Sequence, residues 1–595
     1  MRKTFLFLCA LVLCLAARPA LSAEESDLFS DKDLTLADPA QAVDIALTEG
    51  GVDITQPGVY RLSGQVADGS IRVSPATEGD VWLLLDGVSV HNEDGAALTS
   101  DGCNKLILTL AEGSVNTLTQ GPATPTEEDN DAAIYVRDDL TINGTGALTI
   151  ESAYLDGINC RDSLRIVSGE LTVSAVDDGL VGKDEVTIGG GTIAIDAQTG
   201  DGIKATNAED ADRGFVTIAG GTLSITTGEG SASVSQTASD GWGGWQQAEE
   251  EDTPSQKGVK AETTLTISGG TLSIDSVDDA LHAVDVAISG GEITLSTGDD
   301  GVHADNTLTV SGGAITVTRS YEGLEASDMT LSGGEIDVTA SDDGINGAGG
   351  DDAAETEGMS GRFGRDRFTS STGTVRITGG LIRVTASGDG VDVNGDLEMS
   401  GGELYVNGPQ SGGDGALDYD GSFALTGGTV VAVGSAGMAQ GVSDPSVPGA
   451  VLNVSASGML EVLDSAGNTL VHFEALRDYS HVVVYSDRFT AGESYTLSLG
   501  GETQTVEMTT DSTGGRRVRR LLWRGPWRRR THALGGAGHV PPRLSRGRAL
   551  SPPFHPAARR PPQTVKKPFG EARRAAGPQP QSSRRTLAAP SARFG

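Results

Sequence analysis

Aromatic side chains make up only 4% of this 595-residue chain, which has four cysteines and eight histidines. So few large rings exclude a set of ordinary globular cores, which draw on aromatic as well as aliphatic bulk. Scarce cysteine excludes a disulfide-stapled scaffold. Positive charge is scarce too: 43 Lys and Arg stand against 82 Asp and Glu, a net of −39. That balance excludes nucleic acid as a partner of the body of the chain and makes multivalent cations the natural guests. No window keeps a 3.6-residue apolar period, which excludes helical bundles and helical solenoids. What abounds is glycine, 83 residues, roughly twice ordinary usage.

The two ends differ from the middle. Arg2 and Lys3 precede an uncharged run, Phe5 to Ala17, and then Ala20-Leu21-Ser22. This pattern predicts a secretory signal peptide over 1–22, and hence a secreted protein, extracellular or loosely held at a cell surface. No other stretch is long and apolar enough to span a bilayer. From Arg516 onward there are 20 Lys or Arg and one acid, Glu571, so residues 1–515 carry 23 basic and 81 acidic groups. The Arg/Pro/Ala-rich segment 516–595 reads as a disordered basic tail or as the product of a reading-frame shift.

Between the ends lies a repeat. An Asp-Gly step, or a variant of it, recurs at Gly157, Gly179, Gly202, Gly258, Ala280, Gly301, Gly323, Gly344, Gly390 and Gly415, with uninterrupted spacings of 22, 23, 22, 21, 22 and 21 residues. Gly-Gly pairs flanked by period-2 alternation fall between the steps, as in Leu265–Ile274 (LTISGGTLSI) and Val286–Leu295 (VAISGGEITL). Each unit thus holds three short strands, and in the unit from Gly258 the inward set is Val259, Ala261, Leu265, Ile267, Leu272 and Ile274. One such unit cannot bury its apolar face, but stacked units can. The expected fold is all-β: a right-handed parallel β-helix, a solenoid of 21–22 residues per turn, over 43–448. Insertions at 120–131, 227–256 and 349–373 read as surface loops, and 450–508 as a small C-terminal β cap that shields the open edge. Cys103 and Cys160 are expected about two turns apart, beyond the reach of a disulfide.

Stacking gives the corner aspartates a chemistry. Asp177, Asp178, Asp299, Asp300, Asp342 and Asp343 occupy one corner of their turns, and Asp156, Asp201, Asp389 and Asp414 sit in related positions. Two carboxylates about 4.8 Å apart repel by about 3.5 kcal/mol at an effective dielectric near 20. Such a column is hard to keep charged without cations, and outside a cell Ca²⁺ is the fitting ion. Asp392 and Asp418, just past the corner, complete the expected metal set. Beside it runs an outward stripe: Asn159, Lys204, Lys260, His282, His303, Glu325, Asn346 and Asp392. Lys183, Lys204, Lys260, His282 and His303 are candidate contacts for acidic sugars, and Trp242 and Trp245 for stacking on sugar rings. No Ser/His/Asp or Cys/His set assembles. The one enzyme compatible with these residues is a β-elimination lyase using Ca²⁺ and a Lys base, with Lys183, Lys204 and Lys260 as candidates, but aspartates beside a lysine keep it protonated.

These repeats resemble those of secreted bacterial carbohydrate-binding proteins built on a right-handed parallel β-helix. The resembling stretches are Asp201–Ala211 (DGIKATNAEDA), Gly388–Gly395 (GDGVDVNG), Gly415–Gly421 (GALDYDG), Gly437–Gln440 (GMAQ) and Gly492–Leu497 (GESYTL), within a likeness covering residues 43–508. The resemblance implies Ca²⁺ binding and affinity for polysaccharide, polygalacturonate or cellulose, without cleavage. The fold is also similar to that of calcium-dependent pectate lyases. The chain departs from the pattern at Asp278-Asp279-Ala280 and at Glu322-Gly323. The expectation is a secreted, monomeric, non-catalytic binder of acidic or plant cell-wall polysaccharide; a lyase and a structural surface adhesin are the alternatives.

Overall fold

A computed structural model describes residues 28–125, 131–235, 255–348 and 373–512. The signal peptide expected over 1–22, most of the three insertions, Trp242, Trp245 and the basic tail lie outside the described residues. Two units, Met1–Arg520 and Leu521–Gly595, are distinguished, and everything described belongs to the first.

The described chain is nearly all β. It has 42 strands joined into one sheet, a helical turn at Asp31–Leu34 and a 3-10 turn at Ser231–Ser233. From Asp156 to Thr227 each turn contributes three short strands, and each strand pairs in parallel with its counterpart one turn later. Asp156–Cys160 pairs with Leu180–Gly182, Ser163–Ile166 with Glu185–Ile188, and Glu170–Ala175 with Thr192–Ala197. From Val259 to Leu331 the first two strands merge into one longer strand, as in Val259–Ile267, where a register shift marks the old corner; from Ile345 they are separate again. Parallel stacking also holds in the irregular opening turns, where Val43–Leu47 pairs with Gly58–Val66.

Alternation and register together build the core. Strands such as Thr271–Ser276 and Glu292–Thr297 alternate exposed and buried positions. In register, Ile158, Leu180, Ile203, Val259, Leu281, Val302, Leu324 and Ile345 form one continuous column, every member fully buried. The six inward residues expected of the unit from Gly258 are all buried. Each such side chain contributes about 1.5–3 kcal/mol on leaving water, but only because a neighbouring turn covers it.

Glycine serves two purposes here. The second glycine of each Gly-Gly pair is left-handed, with φ of +90° at Gly270 and +96° at Gly291. The glycine of the Asp-Gly step is not. It is small because the turns approach so closely: a Cβ on Gly202 would lie 2.3 Å from Ile225 Cγ2 and 2.6 Å from the Gly258 carbonyl oxygen.

At the C-terminal end the pairing reverses. Thr429–Gly434, the last strand on its face, pairs antiparallel with Thr469–Ser486, which pairs antiparallel with Gly449–Leu463. Ser494–Leu499 and Glu502–Glu507 extend this sheet. Leu460, Val471, Phe473, Tyr495 and Leu497 belong to a second apolar cluster, separate from the main column. Antiparallel strands therefore take up hydrogen-bonding groups that the stack would otherwise leave open. Cys103 and Cys160 are buried and unbonded, and burial pushes both thiols up to about 12. No helix among the described residues is long and apolar enough to cross a membrane.

Candidate functional site

The Asp-Gly corners do stack, and their carboxylates fasten one turn to the next. The Asp178 amide donates to Asp156 Oδ1 (3.2 Å), the Asp201 amide to Asp178 Oδ1 (2.7 Å), and the Lys257 amide to Asp201 Oδ1 (2.8 Å). Further along, the Asp300 amide donates to Asp279 Oδ1, Glu322 to Asp300, Asp389 to Asp343, and Gly415 to Asp389. One oxygen of each of these seven carboxylates is thus occupied by backbone, and the other remains to act outward. In the Asp-Asp pairs the second member is the fastener, and Asp177, Asp278, Asp299 and Asp342 lie nearer solvent.

The outward stripe is also continuous. Asn159 pairs with Val181, then Lys204, Lys260, His282, His303, Glu325, Asn346, Asp392 and Asp418 follow in register, one per turn. Lys183 is exposed and off this stripe. Asp414 accepts a hydrogen bond from Ser411, and Asp418 accepts one from Gln440.

Positive charge is supplied at two places. Lys204 Nζ lies 3.1 Å from Asp178 Oδ2 and 3.0 Å from Asp201 Oδ2. Lys257 Nζ lies 3.0 Å from Asp278 Oδ1 and 2.7 Å from Asp279 Oδ2. Burial opposes charge on both ammonium groups, but the paired aspartates outweigh it and hold both above the ordinary lysine range. At these turns an ammonium sits where the sequence pattern calls for Ca²⁺. Lys257 escaped sequence reasoning although the signal is visible: it precedes Gly258 where the repeat has Asp.

Elsewhere the column lacks such relief. Burial, reinforced by Asp178, pushes Asp156 up to about 8. Burial and then Asp389 push Asp343 to about 8, and burial holds Asp389 at about 7 and Asp392 at about 6. Burial and Glu325 push Glu322 to about 9. Asp279 goes the other way, because His282 and Lys257 overcome its burial.

Asp343, Asp389 and Asp392 each present a carboxylate oxygen within 4.8 Å of the others. The charges that weigh most on them are negative: Asp342, Asp414, Asp418 and Asp420 besides one another. Asn346, in register with Asp392, has a buried Oδ1 with no hydrogen-bond partner. Three carboxylates and an orphaned amide oxygen are a donor set that fits a hard divalent cation. The Asp178–Asp201 corner, filled by Lys204, does not fit one.

With this geometry in view, the likeness to a known family falls on the earlier turns of the stack. Residues 48–301 match the family model of a carbohydrate-binding domain-containing protein. A carbohydrate-binding domain-containing protein of Acetivibrio thermocellus is 36% identical over 149 residues, 24% of this chain and 51% of the relative. The chain thus spans about half the length of the curated relative it matches. A solved structure of a polysaccharide lyase-like protein from C. thermocellum, a gadolinium derivative, is 29% identical, covers 39% of this chain and 90% of its own, and superposes with a TM-score of 0.32, too low to show a shared fold. The chain is similar to carbohydrate-binding proteins over a region that includes Asp156, Asp201, Lys204 and His282 but ends just short of His303. The Asp343–Asp389–Asp392 cluster lies beyond that region.

Proposed function

We propose that this chain is a secreted, non-catalytic right-handed parallel β-helix over 43–448, with a C-terminal β cap over 450–508, that binds acidic or plant cell-wall polysaccharide with Ca²⁺. The observation that carries this reading is the trio Asp343, Asp389 and Asp392, half-buried carboxylates with no ammonium paired to them among the described residues and an orphaned amide oxygen on Asn346, in register with Asp392. These three and Asn346 would hold the ion, which supplies a hard positive centre for uronate carboxylates. Asp343 and Asp389 each commit one oxygen to the next turn's backbone, so the outward oxygens stay fixed without ligand. Along the same face, Lys260, His282 and His303 add a cationic and hydrogen-bonding stripe at one residue per turn. Its regular spacing suits an extended polymer, whose sugars repeat along an axis.

A lyase is disfavoured by the state of Lys204, the candidate base at the Asp178–Asp201 corner. Lys204 is held between two carboxylates and stays protonated through neutral and mildly alkaline pH, so it cannot take a proton from a sugar carbon. The test is retention of polygalacturonate and of cellulose by the whole protein, with and without chelator, while unsaturated product is followed by ultraviolet absorbance. Retention that a chelator abolishes, with no absorbance rise, is expected. Retention indifferent to chelator would remove the metal, and a Ca²⁺-dependent rise in absorbance would replace binding by cleavage.

A further inference from the structure

The two stripe histidines make a second kind of site. His282 Nδ1 lies 2.9 Å from Asp279 Oδ2, and His303 Nδ1 lies 3.2 Å from Asp300 Oδ2 and 3.4 Å from Glu325 Oε2. With Nδ1 turned to a carboxylate, Nε2 is the ring nitrogen each histidine has left to offer. Both Nε2 atoms turn towards one further carboxylate: Asp305 Oδ1 is 3.7 Å from His282 Nε2 and 3.6 Å from His303 Nε2. The rings lie with centroids 4.8 Å apart, tilted by 39°. His303 is only 4% exposed, and its Nε2 and Asp305 Oδ1 are both buried without a hydrogen-bond partner. Two buried polar atoms thus face one another beyond hydrogen-bond distance, an arrangement that costs free energy and that a cation between them would relieve.

The backbone explains how Asp305 comes to be there. Between Ala304 and Thr307 the strand Val302–Val310 carries one residue more than its partners on either side, where Ala283 is followed by Asp285 and Ala326 by Asp328. A β-bulge of this kind re-aims a side chain, and bulges recur beside functional sites.

We infer that His282 Nε2, His303 Nε2 and Asp305 Oδ1 form a site for a late first-row divalent cation, Zn²⁺ being the fitting ion, distinct from the Ca²⁺ positions and not dependent on them. Imidazole nitrogen suits Zn²⁺ and its neighbours rather than Ca²⁺. Donors around a four-coordinate Zn²⁺ stand about 3.3–3.4 Å apart, so the two rings, whose centroids are 4.8 Å apart, have to converge on the ion and Asp305 to close by about 0.3 Å on each nitrogen. Its side chain, one-third exposed, is free enough to do so. Asp279 and Asp300 occupy the outer positions that carboxylates commonly take behind metal-bound histidine. Three protein donors leave a coordination place for water or a sugar oxygen.

The test is titration of chelator-treated full-length protein with Co²⁺ in excess Ca²⁺, read by the visible absorption of bound Co²⁺, followed by displacement with Zn²⁺. One equivalent is expected to bind, to resist Ca²⁺ and to yield to Zn²⁺. His303→Ala and Asp305→Asn should weaken Co²⁺ by more than the roughly 10–100-fold typical of losing an outer partner, Asp279→Asn by about that factor, and Asp389→Asn by less than about twofold. Asp305→Asn and His282→Gln carry the test if His303→Ala does not fold by circular dichroism. Parental affinity in folded His282→Gln and Asp305→Asn, displacement by Ca²⁺, or no Co²⁺ binding would each overturn the proposal. Loss of Ca²⁺ response in Asp389→Asn with Co²⁺ binding intact would separate the two sites.

Discussion

Removing divalent metal should make the stability of this protein fall as pH rises, and the size of the fall can be worked from the Asp343–Asp389–Asp392 cluster. Burial and mutual repulsion raise Asp343 from 3.8 to about 8, Asp389 to about 7 and Asp392 to about 6. A carboxyl whose folded pKa is raised binds its proton more tightly folded than unfolded. Its contribution is therefore full below the unfolded value and is lost as pH climbs through the folded one. At about 1.4 kcal/mol per unit, the Asp343 shift alone corresponds to about 6 kcal/mol. The three shifts share the same repulsions and do not add, so about half of that, roughly 3 kcal/mol, is expected between pH 5 and pH 8. Ca²⁺ at a hundred times its dissociation constant should return about 2.7 kcal/mol at pH 8. The assay is urea denaturation of chelator-treated protein at both pH values, with and without added Ca²⁺. In Asp343→Asn/Asp389→Asn the pH dependence should flatten and the Ca²⁺ effect should vanish. Metal-free parent protein as stable at pH 8 as at pH 5, or a double variant that Ca²⁺ stabilises as it does the parent, would refute the reasoning.

Two other outcomes follow from the corners. Lys257→Met leaves Asp278 and Asp279 without their ammonium and should cost about 3–5 kcal/mol by urea denaturation, with part restored by adding Asp279→Asn; a cost below about 0.5 kcal/mol would show the pair to be idle. Gly202→Ala drives a methyl against Ile225 and the Gly258 carbonyl and should cost about 1–3 kcal/mol, whereas relief of backbone freedom alone would stabilise by about 0.4–1 kcal/mol, so the sign of the change decides.

How much of this was legible depends on what spacing can encode. A repeat of 21–22 residues says which residues share a column, and the stripe from Asn159 to Asp392 stands in the register its spacing predicts. Period-2 alternation likewise marked the inward residues. Spacing does not say which member of an Asp-Asp pair turns to the backbone, or which carboxylates find an ammonium. Lys257 and Asp305 show the limit: one replaces the corner residue just after an insertion, the other sits in a one-residue bulge, and both break the count that periodicity relies on. The expectation of equivalent Asp corners gives way to turns that differ in their source of positive charge. The loop tryptophans, Trp242 and Trp245, fall outside the described residues.

Because Asp156, Asp178, Asp201, Asp279, Asp300, Asp343 and Asp389 each reach forward to an amide of the next turn, these links are alike in kind and oriented in one direction. Excising Leu281 through Gly301 would bring Val302 into the place of Leu281 and leave the inner column, the fasteners and the face in phase. Such a chain can grow or shrink by whole links through duplication or loss within its gene, and the length of its outward stripe would change in the same steps.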